Sequence, residues 1–310
     1  MDTRKIGSLE VSLVGLGCNN LGSRVDEAGT KALVDAAIDV GVTLFDTADV
    51  YGGTGASETL LGKAIGSRRD QVVIATKFGG PMGPDKAGGA PAYVRSACDD
   101  SLKRLGVDYI DLYQQHAPDP SVPIAETLGA LDELVKAGKV REIGCSNVSP
   151  EMIDDAASAS AKLGIRPFVT VQNELSVLRR KGDAALIDRC ERYDLSILPY
   201  LPLTSGMLTG KYKRGVEPPA GTRIAEAPEE RRARALTDRN FDVIEALEAF
   251  ATSRGHTLLE LAMSWLAGLP RMGSIIAGAT KPDQLRANAA AVSWDLTPED
   301  RAEVDRITAR

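Results

Sequence analysis

Histidine and cysteine are scarce in this sequence. The 310 residues include two histidines, His116 and His256, and four cysteines that lie far apart and form no CxxC motif. Because structural metal sites are built from close sets of such residues, this scarcity disfavours a metal site. A disulfide framework is disfavoured as well. The simplest interpretation is a cytosolic protein with reduced thiols, in which Cys18 and Cys145 are small buried residues.

Long apolar runs and an excess of positive charge are also missing. No apolar run approaches the length of a membrane span, and the N-terminal Met-Asp-Thr-Arg-Lys lacks the apolar core of a signal peptide. The formal net charge of −6 gives no bulk attraction for nucleic acid. The composition, 43% hydrophobic and 26% charged, is that of a globular chain with a large core. We expect a cytoplasmic protein with neither a membrane nor a nucleic-acid partner.

Short apolar, β-branched segments alternate with amphipathic helical segments along the chain. The predicted strands cover residues 12–17, 42–47, 71–77, 109–115, 140–145, 168–172, 195–200 and 274–277. The predicted helices cover residues 27–40, 57–65, 92–105, 124–137, 150–163, 183–193, 241–254, 258–267, 282–292 and 298–307, the last capped by Thr297. This alternation favours parallel βαβ units. Eight units in 310 residues indicate a single (β/α)8 TIM barrel domain over residues 1–310, with extra helices near the C-terminus.

Three segments fall outside the alternation. "RKIGSLEVSL" predicts an N-terminal β-hairpin with Gly7-Ser8 at its turn, covering one end of the barrel. "GGPMGPDKAGGAP", after the third strand, predicts a long loop. Residues 213–239, which include Pro218-Pro219 and "PEERRARAL", predict a second long and mobile loop. No GxGxxG motif follows an early strand, which argues against a Rossmann domain.

Chemically unusual residues stand at or just after the predicted strand ends. Asp46 closes the second strand with Tyr51 in the following loop, Lys77 ends the third strand and His116 the fourth. In a parallel barrel these ends share one face. We expect Asp46 to pair with Lys77, and the Lys77 cation to lower the pKa of Tyr51 so that the phenol acts as a general acid, with His116 as a second donor. Taken singly, each residue is more often structural, as a turn former, a core or rim tyrosine or a solvated lysine.

Longer motifs resemble those of a known family. "GVTLFDTADVYGGTGASETLLGKAI" and "SLKRLGVDYIDLYQQH" resemble two characteristic motifs of the aldo-keto reductases. "GCSNVS", "VQNELSVLRR", "SGMLTGKY" and "IIAGATKPDQLRANAAA" resemble later segments in the family's order, so the resemblance covers nearly the whole chain. The chain resembles bacterial members related to the channel β-subunit-like branch. It implies a (β/α)8 barrel that reduces aldehydes and ketones, usually with NADPH, and it makes Asp46, Tyr51, Lys77 and His116 the catalytic residues.

The resemblance also implies a set of cofactor contacts. At the nicotinamide, the resemblance implies contacts from Ser146, Asn147, Gln172 and Tyr200. The ring of Tyr200 would stack on the nicotinamide ring. Those implied at the pyrophosphate are Leu203, Gly206 and Lys211. Those implied at the adenosine end are Gly278, Thr280, Lys281, Gln284 and Asn288. Many members carry a Lys-Ser pair and an arginine for the 2′-phosphate where this chain has Gly278-Ala279 and Gln284, so NADPH is expected and NADH stays possible.

Two other functions stay open at this point. Channel-associated β subunits of the same family bind NADP(H) and act mainly through partners, which makes a regulatory subunit with little turnover one alternative. A barrel aldolase with Lys77 as its Schiff-base lysine is the other. For the reductase we expect a small-molecule carbonyl substrate and a monomer or weak homo-oligomer.

Overall fold

The computed structural model describes residues 1–84, 86–180 and 183–309. The chain divides into two compact units. The first unit comprises Met1–Asn173, Gly182–Tyr200 and Pro270–Ala289. The second comprises Glu174–Lys181, Leu201–Leu269 and Ala290–Arg310. The single domain expected over residues 1–310 stays a prediction.

The first unit begins with the predicted hairpin. Strands β1 (Thr3–Ile6) and β2 (Leu9–Ser12) pair antiparallel, and Ile6 lies opposite Leu9, so Gly7 and Ser8 form the turn. Every second residue of the hairpin faces inward, as the period of a half-buried strand requires. The inward residues Ile6, Leu9 and Val11 are buried in one cluster with apolar residues of the main sheet: Leu44, Ala75, Leu112, Leu198 and Ile276. The hairpin therefore packs against the sheet.

All eight predicted strands are present and form one parallel sheet. They are β3 (Val14–Gly17), β4 (Leu44–Asp46), β5 (Val73–Phe78), β6 (Ile110–Gln115), β7 (Val140–Ser146), β8 (Thr170–Gln172), β9 (Ser196–Ile197) and β10 (Ile275–Gly278). The strand order is β10-β3-β4-β5-β6-β7-β8-β9. Most strand residues are buried, as expected for parallel strands covered on both faces. Two parallel bridges, Ile197 to Met272 and Tyr200 to Ile276, join residues at the two edges of this sheet.

The helices of the first unit follow the strands as predicted. They are α1 (Glu27–Asp39), α2 (Ala56–Ile65), α3 (Pro91–Leu105), α4 (Ile124–Lys136), α5 (Pro150–Leu163), α6 (Asp183–Arg192) and, after three helices of the second unit, α10 (Pro282–Ala290). Local sequence sets their starts. Asp26 accepts a hydrogen bond from the N–H of Gly29, and Ser149 accepts one from Met152, so each side chain caps a helix N-terminus. The predicted loop after β5 carries no helix or strand in residues 79–84 and 86–90, and residue 85 lies outside the described residues.

The second unit is helical in its described part. It contains a short 3₁₀-helix (Thr204–Thr209) and helices α7 (Glu229–Ala235), α8 (Asp238–Ser253), α9 (Leu258–Ala267) and α11 (Pro298–Thr308). The predicted cap of α11 is confirmed, because Thr297 and Asp300 form a reciprocal capping box.

The long loop predicted over residues 213–239 is wrong in part. This segment contains α7, and α8 begins within it, at Asp238. The charges that suggested a solvated loop suit a short helix, with Glu229 and Glu230 in its first turn and Arg232 and Arg234 in its last. None of the helices in the described part of the chain is long and apolar enough to cross a membrane.

Candidate active site

A buried ion pair lies where β4 and β5 end. Nζ of Lys77 donates to Oδ2 of Asp46 at 2.6 Å and to the carbonyl of Thr47 at 2.8 Å. Lys77 is fully buried and Asp46 is 2% exposed. Burial alone would lower the pKa of Lys77, but Asp46 and Tyr51 outweigh it and raise the pKa, so the amine stays cationic. The predicted pairing of Asp46 with Lys77 is present in the structure.

Two amides hold the second oxygen of Asp46. Nε2 of Gln172, on β8, donates to Oδ1 at 2.8 Å, and Nε2 of Gln114, on β6, donates at 3.3 Å. These bonds satisfy a carboxylate that would otherwise be costly to bury. The contribution of Gln114 is absent from the sequence prediction. A signal for it existed, because Gln114 stands two positions before His116 and alternate strand residues share a face.

Tyr51 and His116 lie beside this pair. The centroid of the Tyr51 ring is 5.2 Å from Nζ of Lys77, and the imidazole of His116 meets the ring edge-on, with centroids 5.6 Å apart. The backbone fixes both residues. The N–H of Tyr51 donates to Ala48 at 3.2 Å, and the N–H of His116 donates to Phe78 at 2.9 Å. The structure therefore brings all four predicted catalytic residues together.

Burial controls the ionisation of Tyr51 and His116. It raises the pKa of Tyr51, and the nearby Lys77 cation lowers it by less. The predicted effect of Lys77 thus has the expected direction, but the net shift is upward and the phenol keeps its proton. Burial, helped by Lys77, lowers the pKa of His116 to about 4, so the imidazole is neutral at neutral pH. Its buried Nδ1 has no hydrogen-bond partner among the described residues.

A polar network continues from His116 across the ends of β7, β8 and β9. Nδ2 of Asn147 donates to the carbonyl of His116 at 2.8 Å, and Oδ1 of Asn147 accepts from the hydroxyl of Tyr200 at 2.7 Å. Oγ of Ser146 donates to the carbonyl of Gln172 at 2.6 Å. The four residues predicted at the nicotinamide therefore lie in one network with His116 and, through Gln172, with Asp46.

The residues predicted at the adenosine end surround the start of α10. The N–H and hydroxyl of Thr280 donate to Oε1 of Gln284 at 2.9 and 3.1 Å. Gly278, at the end of β10, and Lys281 are exposed, whereas Asn288 is buried further along the helix. The structure therefore places an exposed cation and backbone N–H groups at one helix N-terminus.

The three residues predicted at the pyrophosphate belong to the second unit. Leu203 precedes the 3₁₀-helix and Gly206 lies within it, at φ 89°. Residues with side chains rarely adopt this φ, so glycine suits position 206, where a Cβ would stand 2.6 Å from Nζ of Lys211. Thr204 and Ser205 also have positive φ, 46° and 57°. Such strained backbone is typical of functional segments.

The four cysteines are all buried and unpaired, as expected for Cys18 and Cys145. Cys18 lies near Asp46 and Lys77, and burial raises the pKa of its thiol far above the ordinary value. It is therefore an un-ionised neighbour of the ion pair. Among the described residues, no group of three or more histidine, cysteine, aspartate or glutamate side chains has an arrangement that would hold a metal ion.

Comparison with known proteins shows the family of the chain. A family model described as the aldo/keto reductase family matches residues 13–309. The chain is also 38% identical, over 310 residues, to probable aldo-keto reductase 1 of Glycine max. That alignment covers 97% of this chain and 87% of the relative.

Proposed function

The chain belongs to the aldo/keto reductase family, as an NAD(P)H-dependent oxidoreductase, and on that premise we propose that it reduces aldehydes and ketones to alcohols with NADPH, Tyr51 being the general acid. The observation that carries the proposal is the cluster of Tyr51, Lys77 and His116 around the buried Asp46–Lys77 pair. A phenol that keeps its proton, a cation beside it and a neutral imidazole are the groups that carbonyl reduction requires.

The residues beside the cluster fit a nicotinamide. The ring of Tyr200 offers a flat stacking surface, and Ser146, Asn147 and Gln172 offer hydroxyl and amide groups for a carboxamide. When bound, the reduced nicotinamide supplies the hydride that adds to the carbonyl carbon. In this assignment the hydrogen bond from Gln172 to Asp46 also links the cofactor contacts to the ion pair.

Proton delivery falls to the side chains of this chain. The Tyr51 hydroxyl gives its proton to the carbonyl oxygen as the carbon–oxygen double bond becomes single. The Lys77 cation stabilises the phenolate that forms, because an opposite charge favours the ionised group. Neutral His116 donates a ring N–H to the same oxygen and orients the carbonyl. Asp46 keeps Lys77 charged and in place.

The start of α10 favours NADPH over NADH. Lys281 is exposed there, and a 2′-phosphate at a helix N-terminus gains from the cation, the backbone N–H groups and the helix dipole. Gln284 provides no charge and is hydrogen bonded to Thr280. We therefore propose a preference for NADPH of moderate size, with NADH as a weaker substrate. The roles of Leu203, Gly206 and Lys211 at the pyrophosphate stay predictions.

We further propose that the eight-stranded sheet is a closed (β/α)8 barrel of the TIM type. The bridges from Ile197 to Met272 and from Tyr200 to Ile276 support closure. In such a barrel, catalytic residues stand at the carboxyl ends of the strands, where Asp46, Lys77 and His116 are found. We place the enzyme in the cytoplasm, because four unpaired cysteines fit a reducing compartment.

The structure favours the reductase over the aldolase alternative. A Schiff-base lysine reacts as a neutral amine, whereas the pKa of Lys77 is raised by Asp46 and Tyr51 against the effect of burial. The test is a screen of NADPH oxidation across aldehydes, keto-sugars and cyclic ketones, repeated with NADH. Turnover of a carbonyl supports the proposal. Tight NADPH binding without turnover of any carbonyl would favour a regulatory subunit, and borohydride trapping of a substrate on Lys77 would favour an aldolase.

A further inference from the structure

A second buried carboxylate lies in the loop that carries Tyr51. Asp49 is 1% exposed, and its backbone N–H donates to the carbonyl of Lys77 at 3.1 Å. Tyr51 follows two residues later and is bonded through its own N–H to Ala48. The backbone on both sides of Asp49 is therefore fixed next to the catalytic residues. The proton delivery described above uses no part of the Asp49 side chain.

The Asp49 side chain meets α3 and the loop after β5. The hydroxyl of Tyr93, on α3, lies 3.4 Å from Oδ2 of Asp49 and 3.5 Å from the carbonyl of Gly80. Oδ1 of Asp49 is buried and has no hydrogen-bond partner among the described residues. Tyr93 thus connects the Tyr51 loop with the segment that follows Lys77.

Packing reinforces this connection. A Cβ at Gly80 would lie 2.4 Å from Cγ1 of Val50, the residue between Asp49 and Tyr51. Real side chains do not approach so closely, so the two loops are in tight contact at this point. The loop that carries Tyr51 therefore has little room to move against the segment that follows Lys77.

We propose that Asp49 is a positioning residue, which with Tyr93 and Gly80 holds the loop that presents Tyr51, and that its ionisation tightens this hold. The inference rests on the proposed function, in which Tyr51 donates the proton. A carboxylate is a stronger acceptor than a carboxylic acid, so ionised Asp49 binds the hydroxyl of Tyr93 more firmly.

The groups that face Asp49 come from three elements. Glu58 of α2 accepts a hydrogen bond from Nε of Arg104 of α3 at 2.6 Å, and Tyr113 of β6 has a buried hydroxyl without a partner among the described residues. Burial raises the pKa of Asp49 to about 7, with a further increase from Glu58 that Arg104 and Tyr93 offset in part. Asp49 therefore ionises as the pH rises through 7, and its hydrogen bond with Tyr93 becomes stronger.

The first test compares pH profiles of kcat between pH 5.5 and 8.5 for the wild type and Asp49→Asn. The asparagine has nearly the same shape and accepts from Tyr93 at every pH. We expect kcat of the wild type to rise through about pH 7 and that of Asp49→Asn to lack this rise.

Tyr93→Phe, which removes the hydrogen-bond donor to Asp49, should lower kcat about tenfold and leave cofactor affinity unchanged. Tyr193→Phe is the matched control, because it removes a tyrosine–aspartate bond to Asp154 in the α5 and α6 region, and it should leave kcat unchanged.

A second measurement does not depend on turnover. With ¹³C-labelled tyrosine, the Tyr51 resonance is identified among seven by its loss in Tyr51→Phe and followed against pH by NMR. It should shift with a midpoint near pH 7 in the wild type and stay constant in Asp49→Asn. A wild-type-like pH profile of both kcat and the Tyr51 resonance in Asp49→Asn would overturn the inference. Absence of carbonyl turnover with the NMR shift intact would instead refute only the proposed function.

Discussion

Nζ of Lys77 lies 2.6 Å from Oδ2 of Asp46, and both side chains are buried. The two charges depend on each other, since each would be an uncompensated buried ion without its partner. A buried pair adds little to stability compared with an apolar core, but breaking it by removing one charge is costly.

Asp46→Asn should therefore be damaging twice. It leaves the Lys77 ammonium buried without a counter-charge, which should lower the free energy of unfolding by about 3–5 kcal/mol. It also removes the group that keeps Lys77 charged, so carbonyl reduction should fall by at least about a hundredfold. Urea unfolding and NADPH-oxidation rates measure the two effects. Lys31→Ala, which removes an exposed pair with Asp35, is the control and should change the free energy of unfolding by less than about 1 kcal/mol.

Tyr51→Phe should abolish reduction and preserve the site. The phenylalanine ring keeps the packing against His116, and the Asp46–Lys77 bond does not involve the Tyr51 hydroxyl. We expect kcat to fall by about a thousandfold or more, because the general acid is gone. The Kd for NADPH, measured by fluorescence titration, should change less than about threefold. Retained turnover would remove Tyr51 from the acid role.

Acidification should destabilise the protein through His116. Because burial lowers the pKa of His116 from 6.5 to about 4, the folded state binds a proton less readily than the unfolded state. The contribution of neutral His116 to the free energy of unfolding is therefore complete above pH 6.5 and is lost as the pH falls towards 4. At pH 5 the loss should reach about 2 kcal/mol, and His116→Gln should lack this component. Thermal unfolding of both proteins at pH 5 and pH 8 measures it, and an equal fall in Tm for both would contradict the assignment.

Lys281→Ala should raise KM for NADPH more than KM for NADH. The exposed ammonium at the start of α10 is assigned to the 2′-phosphate, which only NADPH carries. We expect KM for NADPH to rise about fivefold to tenfold and KM for NADH to change little. Arg286→Ala is the matched control, since Arg286 is already paired with Asp283 at 3.3 Å. Equal changes in both KM values would show that Lys281 does not contact the phosphate.

The sequence predicted the strands and the proximity of Asp46, Tyr51, Lys77 and His116, because both follow local patterns. Apolar β-branched segments end at Asp46, Phe78 and Gln115, and parallel pairing then brings their ends to one edge. The alternation of strands and helices fixed the order of the sheet. The start of α11 was equally predictable from nearby residues, since the side chains of Thr297 and Asp300 cap it.

The sequence did not predict quantities that depend on packing between distant segments. Burial outweighs Lys77 in setting the pKa of Tyr51, and the depth of burial is not visible in the motif. Asp49 stands three positions after Asp46 in the segment "FDTADVYG", yet its contact with Tyr93 joins residues 44 positions apart. Helix α7 was missed because a short run of mixed charges suits either a solvated loop or a single short helix.

The burial of every thiol has a practical consequence for chemical labelling. All four cysteines of the chain are inaccessible, and burial raises the pKa of each, so maleimides and other thiol reagents should leave the folded protein unmodified. A cysteine introduced at an exposed position, such as Met152→Cys on α5, would then be the single reactive sulfur. Fluorophores or spin labels could be attached there without prior removal of native cysteines.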